Sequence, residues 1–278
     1  MKKILVPTDF SETATGALHA AQEIARQSGG TLHLLHVITP VIMPTATLDT
    51  TMGYNYSDPA VEQVMTRQLI EQAETQLQEL AAASPVPVQT EVRLDQVTAG
   101  ILETAEQTGA ELIVIGSQGE GGTLFGSTHE RVVRHSTCPV LSIREAKGRF
   151  SPQHIVLATD TEEHTPDIAP AVRQLQQLFG ARLHVVTVRT ASEAEEHTLQ
   201  ERLRTYAERH HLQDAALHVV TDEDVEEGIL HFIDRQRADL VAMTTHGRSA
   251  LVQLFSGSIA ENVIHQGHRP VLTLHIEA

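Results

Sequence analysis

The strongest constraint on the fold is a repeat that spans the whole sequence. Residues 3–9 (KILVPTD) correspond to residues 154–160 (HIVLATD), and residues 138–142 (CPVLS) correspond to residues 269–273 (RPVLT). The period is about half of the 278 residues, which is typical of a duplicated domain and not of a solenoid of short repeats. We therefore predict two domains of the same fold, residues 1–144 and 153–278, with a linker at residues 145–152 that contains a Gly and a Pro.

Each half alternates strand patterns with helix patterns. In the first half, five apolar runs predict strands at residues 4–6, 32–37, 86–92, 112–115 and 140–143. The run at residues 112–115 (LIVI) lacks polar alternation, as expected for a parallel strand covered on both faces. The pattern predicts a doubly wound α/β sandwich with a five-stranded parallel sheet, made twice.

Helix patterns fill the intervals between these strands. Ser11 is a predicted N-cap of the first helix, and residues 101–108 and 128–135 are predicted to be helical. A longer helix is predicted from apolar residues that step mostly by four and form a buried stripe, namely Val61, Met65, Leu69, Ala73, Leu77 and Leu80. The connection at residues 38–60 is unusually long, and it is either an unimportant insertion or a flap or contact surface.

Composition excludes several classes of function. The net charge is −16, and only three of the 20 basic residues are lysines, so we expect neither nucleic acid nor a membrane as a partner. No Gly-Lys-Ser or Gly-Lys-Thr follows a glycine turn, which argues against a P-loop. Cys138 is the single cysteine, so an internal disulfide is excluded, and we expect a cytoplasmic protein.

Two turns in each half are expected where ligands bind in parallel α/β sheets, beyond the carboxyl ends of the strands. The turn after strand one contains Thr-Asp in both halves, and the turn after strand four contains glycine. A Gly-Ser pair then opens the next helix, where free backbone N–H groups and the helix dipole favour phosphate. An acidic chain with few lysines can bind phosphate in this way, because the donors are backbone amides.

This combination resembles the universal stress protein family in its tandem two-domain form. Nucleotide-binding members carry Gly-x2-Gly-x9-Gly-(Ser/Thr) after strand four and an Asp after strand one that contacts the adenosine. The resemblance implies strand order 3-2-1-4-5 and binding of ATP or a related adenine nucleotide, with or without Mg²⁺. In the first half the implied site residues are Pro7, Thr8, Asp9, Val37, Gly116, Gly119, Gly126, Ser127 and Thr128. In the second half they are Thr159, Asp160, Val188, Thr244, His246, Gly247, Arg248, Gly257 and Ser258. Three alternatives stay open: Asp9 and Asp160 as helix caps, Val37 and Val188 as packing residues at the strand ends, and Arg248 as an exposed arginine without a ligand.

Each copy of the motif departs from the family pattern. In the second half nine residues separate Gly247 from Gly257, as the pattern requires, but Thr244 replaces the first glycine. In the first half both leading glycines are present, but only six residues separate Gly119 from Gly126. The sequence therefore leaves open which half binds a nucleotide.

No catalytic residue and no metal site are predicted. The sequence has no Gly-x-Ser-x-Gly nucleophile elbow, and Cys138 before Pro139 is interpreted as a small buried apolar residue. His265 and His268 are three residues apart without a third ligand, whereas zinc normally binds three or four protein ligands.

The resemblance also implies how the two halves assemble and act. In the family, the fifth strands pair antiparallel across a domain dimer, so duplication places that dimer within one chain, and such chains often pair again as a homodimer. The function expected is a stress-response module whose nucleotide occupancy gates signalling or interaction with an unidentified protein partner. Two alternatives stay open: a nucleotide-free interaction or scaffold protein of the same fold, and a weak ATP hydrolase or adenylyl-transfer enzyme.

Overall fold

The computed structural model describes residues 1–40, 59–117, 128–144, 148–162, 167–190, 196–212, 214–246 and 269–276. The strands within them are β1 (Lys3–Pro7), β2 (Thr31–Ile38), β3 (Val88–Leu94), β4 (Leu112–Gly116), β5 (Val140–Ile143), β6 (His154–Ala158), β7 (Arg182–Arg189), β8 (Ala216–Thr221), β9 (Leu240–His246) and β10 (Val271–Ile276). The helices are α1 (Glu12–Ser28), α2 (Pro59–Ala82), α3 (Val97–Thr108), α4 (Thr128–His135), α5 (Ala169–Phe179), α6 (Glu196–Arg209) and α7 (Val225–Gln236).

All ten described strands form one continuous sheet in the order β3-β2-β1-β4-β5-β10-β9-β6-β7-β8. Each half has the predicted order 3-2-1-4-5, and its strands are parallel. The halves meet at β5 and β10, which pair antiparallel with Leu141 opposite Leu272. The fold prediction of two repeated, doubly wound α/β sandwiches is confirmed.

The pairing of the fifth strands has a consequence for assembly. β5 lies between β4 and β10, and β10 lies between β5 and β9. Both hydrogen-bonding edges of each fifth strand are therefore used within the chain. The homodimer predicted through these strands stays a prediction, and it would require either an exchange of strands or contact through side chains.

The hydrophobic core differs between the two faces of the sheet. On the face covered by α1 and α5, one cluster continues from the first half into the second, and α1 packs directly against α5. On the opposite face, α3 and α4 cover one cluster and α7 covers another. The two halves are therefore joined by a shared core on this face as well as by the pairing of β5 with β10.

The start of α1 follows the predicted capping. Ser11 accepts a hydrogen bond from the Ala14 backbone N–H at 3.2 Å, and the helix ends at Gly29 with φ of 62°, a left-handed conformation that glycine adopts without strain. The third strand and third helix lie slightly off their predicted positions, since β3 is Val88–Leu94 and α3 begins at Val97.

The predicted buried stripe of α2 is wrong in its first half. Met65 and Leu69 are 53% and 44% exposed, whereas Ala73 and Leu77 are buried. At about 1.5 Å per residue, the 24 residues of α2 extend about 36 Å. The seven residues of β3 span only about 23 Å at about 3.3 Å per residue, so that the N-terminal turns of α2 extend beyond the sheet it covers.

Candidate functional site

The turn after the first strand of each half has the same hydrogen bonds. In the first half, the Thr8 backbone N–H donates to the Leu35 carbonyl at 2.8 Å, the Phe10 N–H donates to Thr8 Oγ1 at 3.0 Å, and the Ser11 N–H donates to Asp9 Oδ1 at 3.0 Å. Phe10 has a φ of 64°. One carboxylate oxygen of Asp9 therefore shapes the turn, and the exposed side chain lies at the carboxyl edge of the sheet.

The second half repeats this turn. Thr159 N–H donates to the Val186 carbonyl, Thr161 N–H to Thr159 Oγ1, and the Glu162 N–H to Asp160 Oδ1, each at 3.0 Å. Thr161 has a φ of 66°. Left-handed backbone at a non-glycine residue is uncommon, so its occurrence at the same position in both halves indicates a turn geometry held by the surrounding structure.

Val37 and Val188 lie next to the last residue of the second strand of each half, two residues beyond the residue that pairs with the end of the first strand. Leu35 directs its carbonyl toward β1, and residues two apart in a strand direct their backbone groups to the same edge. The N–H and C=O of Val37 therefore face the β1 side beyond Pro7, the last residue of β1, and the backbone of Val188 faces the corresponding space beyond Ala158. Each residue offers a donor and an acceptor beside the Thr-Asp turn.

The side chains of these two valines serve packing. A Cβ on Gly100 of α3 would lie 3.1 Å from Val37 Cγ1, and a Cβ on Gly228 of α7 would lie 2.6 Å from Val188 Cγ1. The glycines let the helices approach the strands closely. The valine side chains are therefore explained by the core, and only their backbone groups are candidates for binding.

Gly116 has a packing reason for lacking a side chain. It ends β4, and a Cβ there would lie 2.9 Å from the Thr13 carbonyl carbon and 3.0 Å from the Ala14 nitrogen. The equivalent residue Thr244 is buried in β9. The atoms that crowd Gly116 belong to the first turn of α1, and the corresponding residues of the second half lie outside the described residues.

Ser117 was missed by the sequence reasoning. Its backbone N–H donates to the Ile143 carbonyl at 2.8 Å, and its Oγ is buried without a hydrogen-bond partner among the described residues. Thr161 Oγ1 of the second half is in the same situation. Each lies at one of the two predicted turns, and buried hydroxyls normally have a partner.

The first turn of α4 is tied to the strand at which the halves meet. Thr128 begins α4, and His129 Nε2 lies 2.6 Å from the hydroxyl of Ser142 on β5. His129 keeps some exposed surface, but burial of the ring lowers its pKa to about 4, so that the ring is neutral near pH 7. A buried neutral histidine thus connects the predicted phosphate-binding helix to β5.

The second half supports its turn with a buried polar cluster. The Tyr206 hydroxyl donates to Asp167 at 3.2 Å, and His210 Nε2 lies 3.5 Å from the same carboxylate. Tyr206 also lies within hydrogen-bonding reach of the Thr159 side chain. Burial first, and then the Asp167 carboxylate, raise the pKa of Tyr206, so this hydroxyl stays protonated. No pattern in the sequence indicates that these residues meet.

Several predicted site residues lie outside the described residues. These are Gly119, Gly126, Ser127, Gly247, Arg248, Gly257 and Ser258. His246 ends β9. Most of the predicted flap at residues 38–60 also lies outside the described residues.

Other features of the described residues limit the chemistry. A shallow groove of about 600 Å³ along α2 is lined by Glu71, Glu74, Thr75, Gln78, Glu79 and Ala82, and its three carboxylates would repel a phosphate. Cys138 is partly buried, and burial raises the pKa of its thiol.

Within the described ranges, no helix is long and apolar enough to cross a membrane, and no three His, Cys, Asp or Glu side chains form a metal-binding group.

Comparison with known proteins decides the family. The sequence model of the universal stress protein family matches twice, at residues 1–144 and at residues 152–275. The chain belongs to the universal stress protein family. Two matches in sequence show the tandem form, and membership supports a role in the stress response.

Relatives with one universal stress protein domain align with about half of the chain. Universal stress protein YxiE of Bacillus subtilis (strain 168) is 32% identical over 150 residues, which cover 51% of this chain and 98% of the relative. A universal stress protein of Thermus aquaticus is 34% identical over 147 residues, with 51% and 98% covered. The crystal structure of a universal stress protein from Archaeoglobus fulgidus DSM 4304 superposes with a TM-score of 0.72 at 18% identity, covering 99% of this chain and 96% of that chain. This last likeness concerns the tandem fold.

Proposed function

We propose that this universal stress protein binds ATP or a related adenine nucleotide at the carboxyl ends of its strands, and that occupancy gates its interaction with a protein partner. The observation that carries the proposal is the placement of the Val37 and Val188 backbones beside the Asp9 and Asp160 turns. A backbone N–H and C=O on one residue match the acceptor and donor on one edge of adenine. The adjacent carboxylates are suited to accept hydrogen bonds from ribose hydroxyls.

The phosphates are proposed to bind at the glycine loop and at the N-terminus of α4. Free N–H groups and the helix dipole favour an anion there. Ser117 Oγ, buried at the start of this loop without a partner among the described residues, is a further candidate donor. The nearby carboxylates do not make a phosphate site by themselves, and this is why backbone amides are required.

Calorimetric titration of the full chain with ATP, ADP, AMP and GTP tests the proposal. We expect heat with adenine nucleotides and much weaker binding of GTP, because its base exchanges the donor and acceptor positions. Stoichiometry shows whether one half or both bind. No heat and no increase in melting temperature with any adenine nucleotide would contradict the proposal and favour the nucleotide-free scaffold.

Isosteric variants identify the half that binds. Asp9→Asn and Asp160→Asn keep the Oδ1 acceptor of the turn and remove the negative charge. Since hydrogen bonds to charged groups contribute about 1.5–3 kcal/mol, we expect at least about a tenfold loss of affinity at the occupied site. Asp234→Asn is the matched control, because Asp234 is 72% exposed, pairs with Arg269 and lies near the end of α7, toward the amino ends of the strands.

The gating step needs its own measurement. Crosslinking followed by mass spectrometry identifies the protein partners with and without the nucleotide that binds. We expect the set of captured partners to differ between the two conditions. Partners that are the same in both conditions would contradict gating while leaving nucleotide binding intact.

A further inference from the structure

Three histidines form a row across the outer strands of the second half. His154 on β6 places Nδ1 3.4 Å from His184 Nε2 on β7, and His184 Nδ1 lies 3.3 Å from His218 Nε2 on β8. The ring centroids are 5.7 Å and 5.4 Å apart. Phe232 of α7 packs against two of the three rings, with its centroid 4.8 Å from that of His218 and 6.4 Å from that of His184. We call these three residues the histidine row.

The first half provides an internal comparison. Its strand register places Lys3, His33 and Glu91 at the positions of His154, His184 and His218. There, His33 Nε2 lies 2.8 Å from Glu91 Oε2. The ring of His33 therefore faces a carboxylate, whereas the ring of His184 faces two further imidazoles. The duplication has kept the central histidine and exchanged its partners.

The number of protons that the histidine row can hold follows from its geometry. Four of its six ring nitrogens face each other in two pairs, and each pair forms an N–H···N hydrogen bond only when it contains one hydrogen. Three neutral rings contain three hydrogens, of which two lie in the pairs and one lies on an outer nitrogen. A first added proton fits on the other outer nitrogen. A second added proton places two hydrogens in one pair and breaks that contact.

The surrounding charges oppose protonation of the central ring. Burial lowers the pKa of His184, and so do the neighbouring His218, His154 and Arg182; burial lowers the pKa of His218 as well. α7 packs the apolar Phe232 against two of the three rings and carries Arg235 in its last turn. A carboxylate next to the row belongs to Asp239, whose Oδ2 accepts from the backbone N–H of His154 at 2.9 Å.

We propose that the histidine row is an acid-responsive element that loosens the β7–β8 edge of the second half when it takes up more than one proton, while the first half stays closed. The opened strands bind protons with the ordinary imidazole pKa of 6.5, whereas folded His184 and His218 have lowered pKa values and bind them at lower pH. The stability contributed by the row is therefore complete above about pH 6.5 and is lost as the pH falls from there toward the lowered folded pKa values.

Hydrogen–deuterium exchange of the full chain, corrected for the intrinsic effect of pH, tests the proposal. Between about pH 7 and pH 5, one proton taken up on opening raises the opening constant more than tenfold. We therefore expect at least a tenfold rise in exchange for peptides from β7 and β8, and little change for peptides from β2 and β3. Equal protection of β7 and β8 at both pH values would overturn the proposal.

Reciprocal substitutions distinguish the histidine row from a general acid effect. His218→Glu gives the second half the partner found in the first and is expected to abolish the rise in β7 and β8. Glu91→His gives the first half the partner found in the second and is expected to create the rise in β2 and β3. His218→Gln is used if either exchange impairs folding, because it removes one titrating ring and keeps a hydrogen-bonding side chain. We expect this variant to reduce the rise in β7 and β8. An unchanged rise in both His218 variants would refute a role of the row.

Discussion

Gly116 allows the packing of the first half to be tested with one methyl group. In Gly116→Ala, the new Cβ would lie 2.9 Å from the Thr13 carbonyl carbon, 3.0 Å from the Ala14 nitrogen and 3.0 Å from Thr13 Oγ1. Two of these three atoms are backbone atoms of the first turn of α1. A change of side-chain rotamer therefore does not relieve the contact, and the start of the helix must move.

The expected magnitude combines two opposing effects. Overpacking of this kind costs about 1–3 kcal/mol, whereas replacing glycine by alanine restricts the unfolded chain and returns about 0.4–1 kcal/mol. Gly116 is not among the residues with positive φ, so the alanine backbone adds no strain of its own. The net result is a loss of about 1 kcal/mol in the free energy of unfolding, or roughly a fivefold change in the unfolding equilibrium constant.

Urea denaturation measures this loss as a lower midpoint with an unchanged slope, and amide chemical shifts of Thr13 and Ala14 report the movement of α1. Thr244→Ala is the matched control at the equivalent position of the second half, where a Cβ is already accommodated. We expect it to leave the shifts of α1 unchanged. A Gly116→Ala protein as stable as the original, with unmoved Thr13 and Ala14 amides, would refute the close contact as the reason for this glycine.

Three further predictions follow from contacts in the described residues. Ser11→Ala removes the N-cap of α1 and should cost about 1 kcal/mol in the free energy of unfolding; no change in a urea titration would contradict the capping role. Leu77→Ala should cost about 2–5 kcal/mol because Leu77 is 1% exposed, whereas Leu69→Ala on the overhanging part of α2 should cost less than about 0.5 kcal/mol, and equal losses would contradict the assignment of the two faces. Burial lowers the pKa of His129 to about 4, so we expect the NMR signals of its ring to stay unchanged from about pH 7 to 5.5. Its contribution to stability should fall as the pH decreases from 6.5 toward 4. A ring that titrates near pH 6.5 would show that it is not desolvated.

The fold could be predicted from the sequence because parallel strands covered on both faces appear as uninterrupted apolar runs. The strand β4 is the run at residues 112–115 with one residue added, and the run at residues 140–143 is β5. The periodicity of α2 was less informative. A period near four shows which face of a helix is apolar, but it does not show whether a strand lies opposite that face. Met65 and Leu69 are exposed because no described strand covers them.

The candidate site was predicted in part. Thr-Asp in both halves marked the turn after the first strand, but neither Phe10 nor Thr161 has a side chain that favours positive φ, so the left-handed residue of this turn had no signal in the sequence. Tyr206 and Asp167 are 39 residues apart, and their contact depends on how α6 lies across the sheet. The only sign of Ser117 in the sequence is its position between the predicted site residues Gly116 and Gly119.

The departure at Thr244 illustrates why a motif alone does not decide which half binds a nucleotide. Gly116 is required in the first half because α1 begins at Glu12, three residues after Asp9, and its first turn presses on β4. In the second half, α5 begins at Ala169, nine residues after Asp160, and the residues at the positions of Thr13 and Ala14 lie outside the described residues. Glycine at this position therefore has a structural reason in the first half that does not depend on a ligand. Its replacement by Thr244 is consistent with the proposed nucleotide binding by the second half. A loss of affinity in Asp160→Asn but not in Asp9→Asn would assign binding to the second half, and the opposite result would assign it to the first.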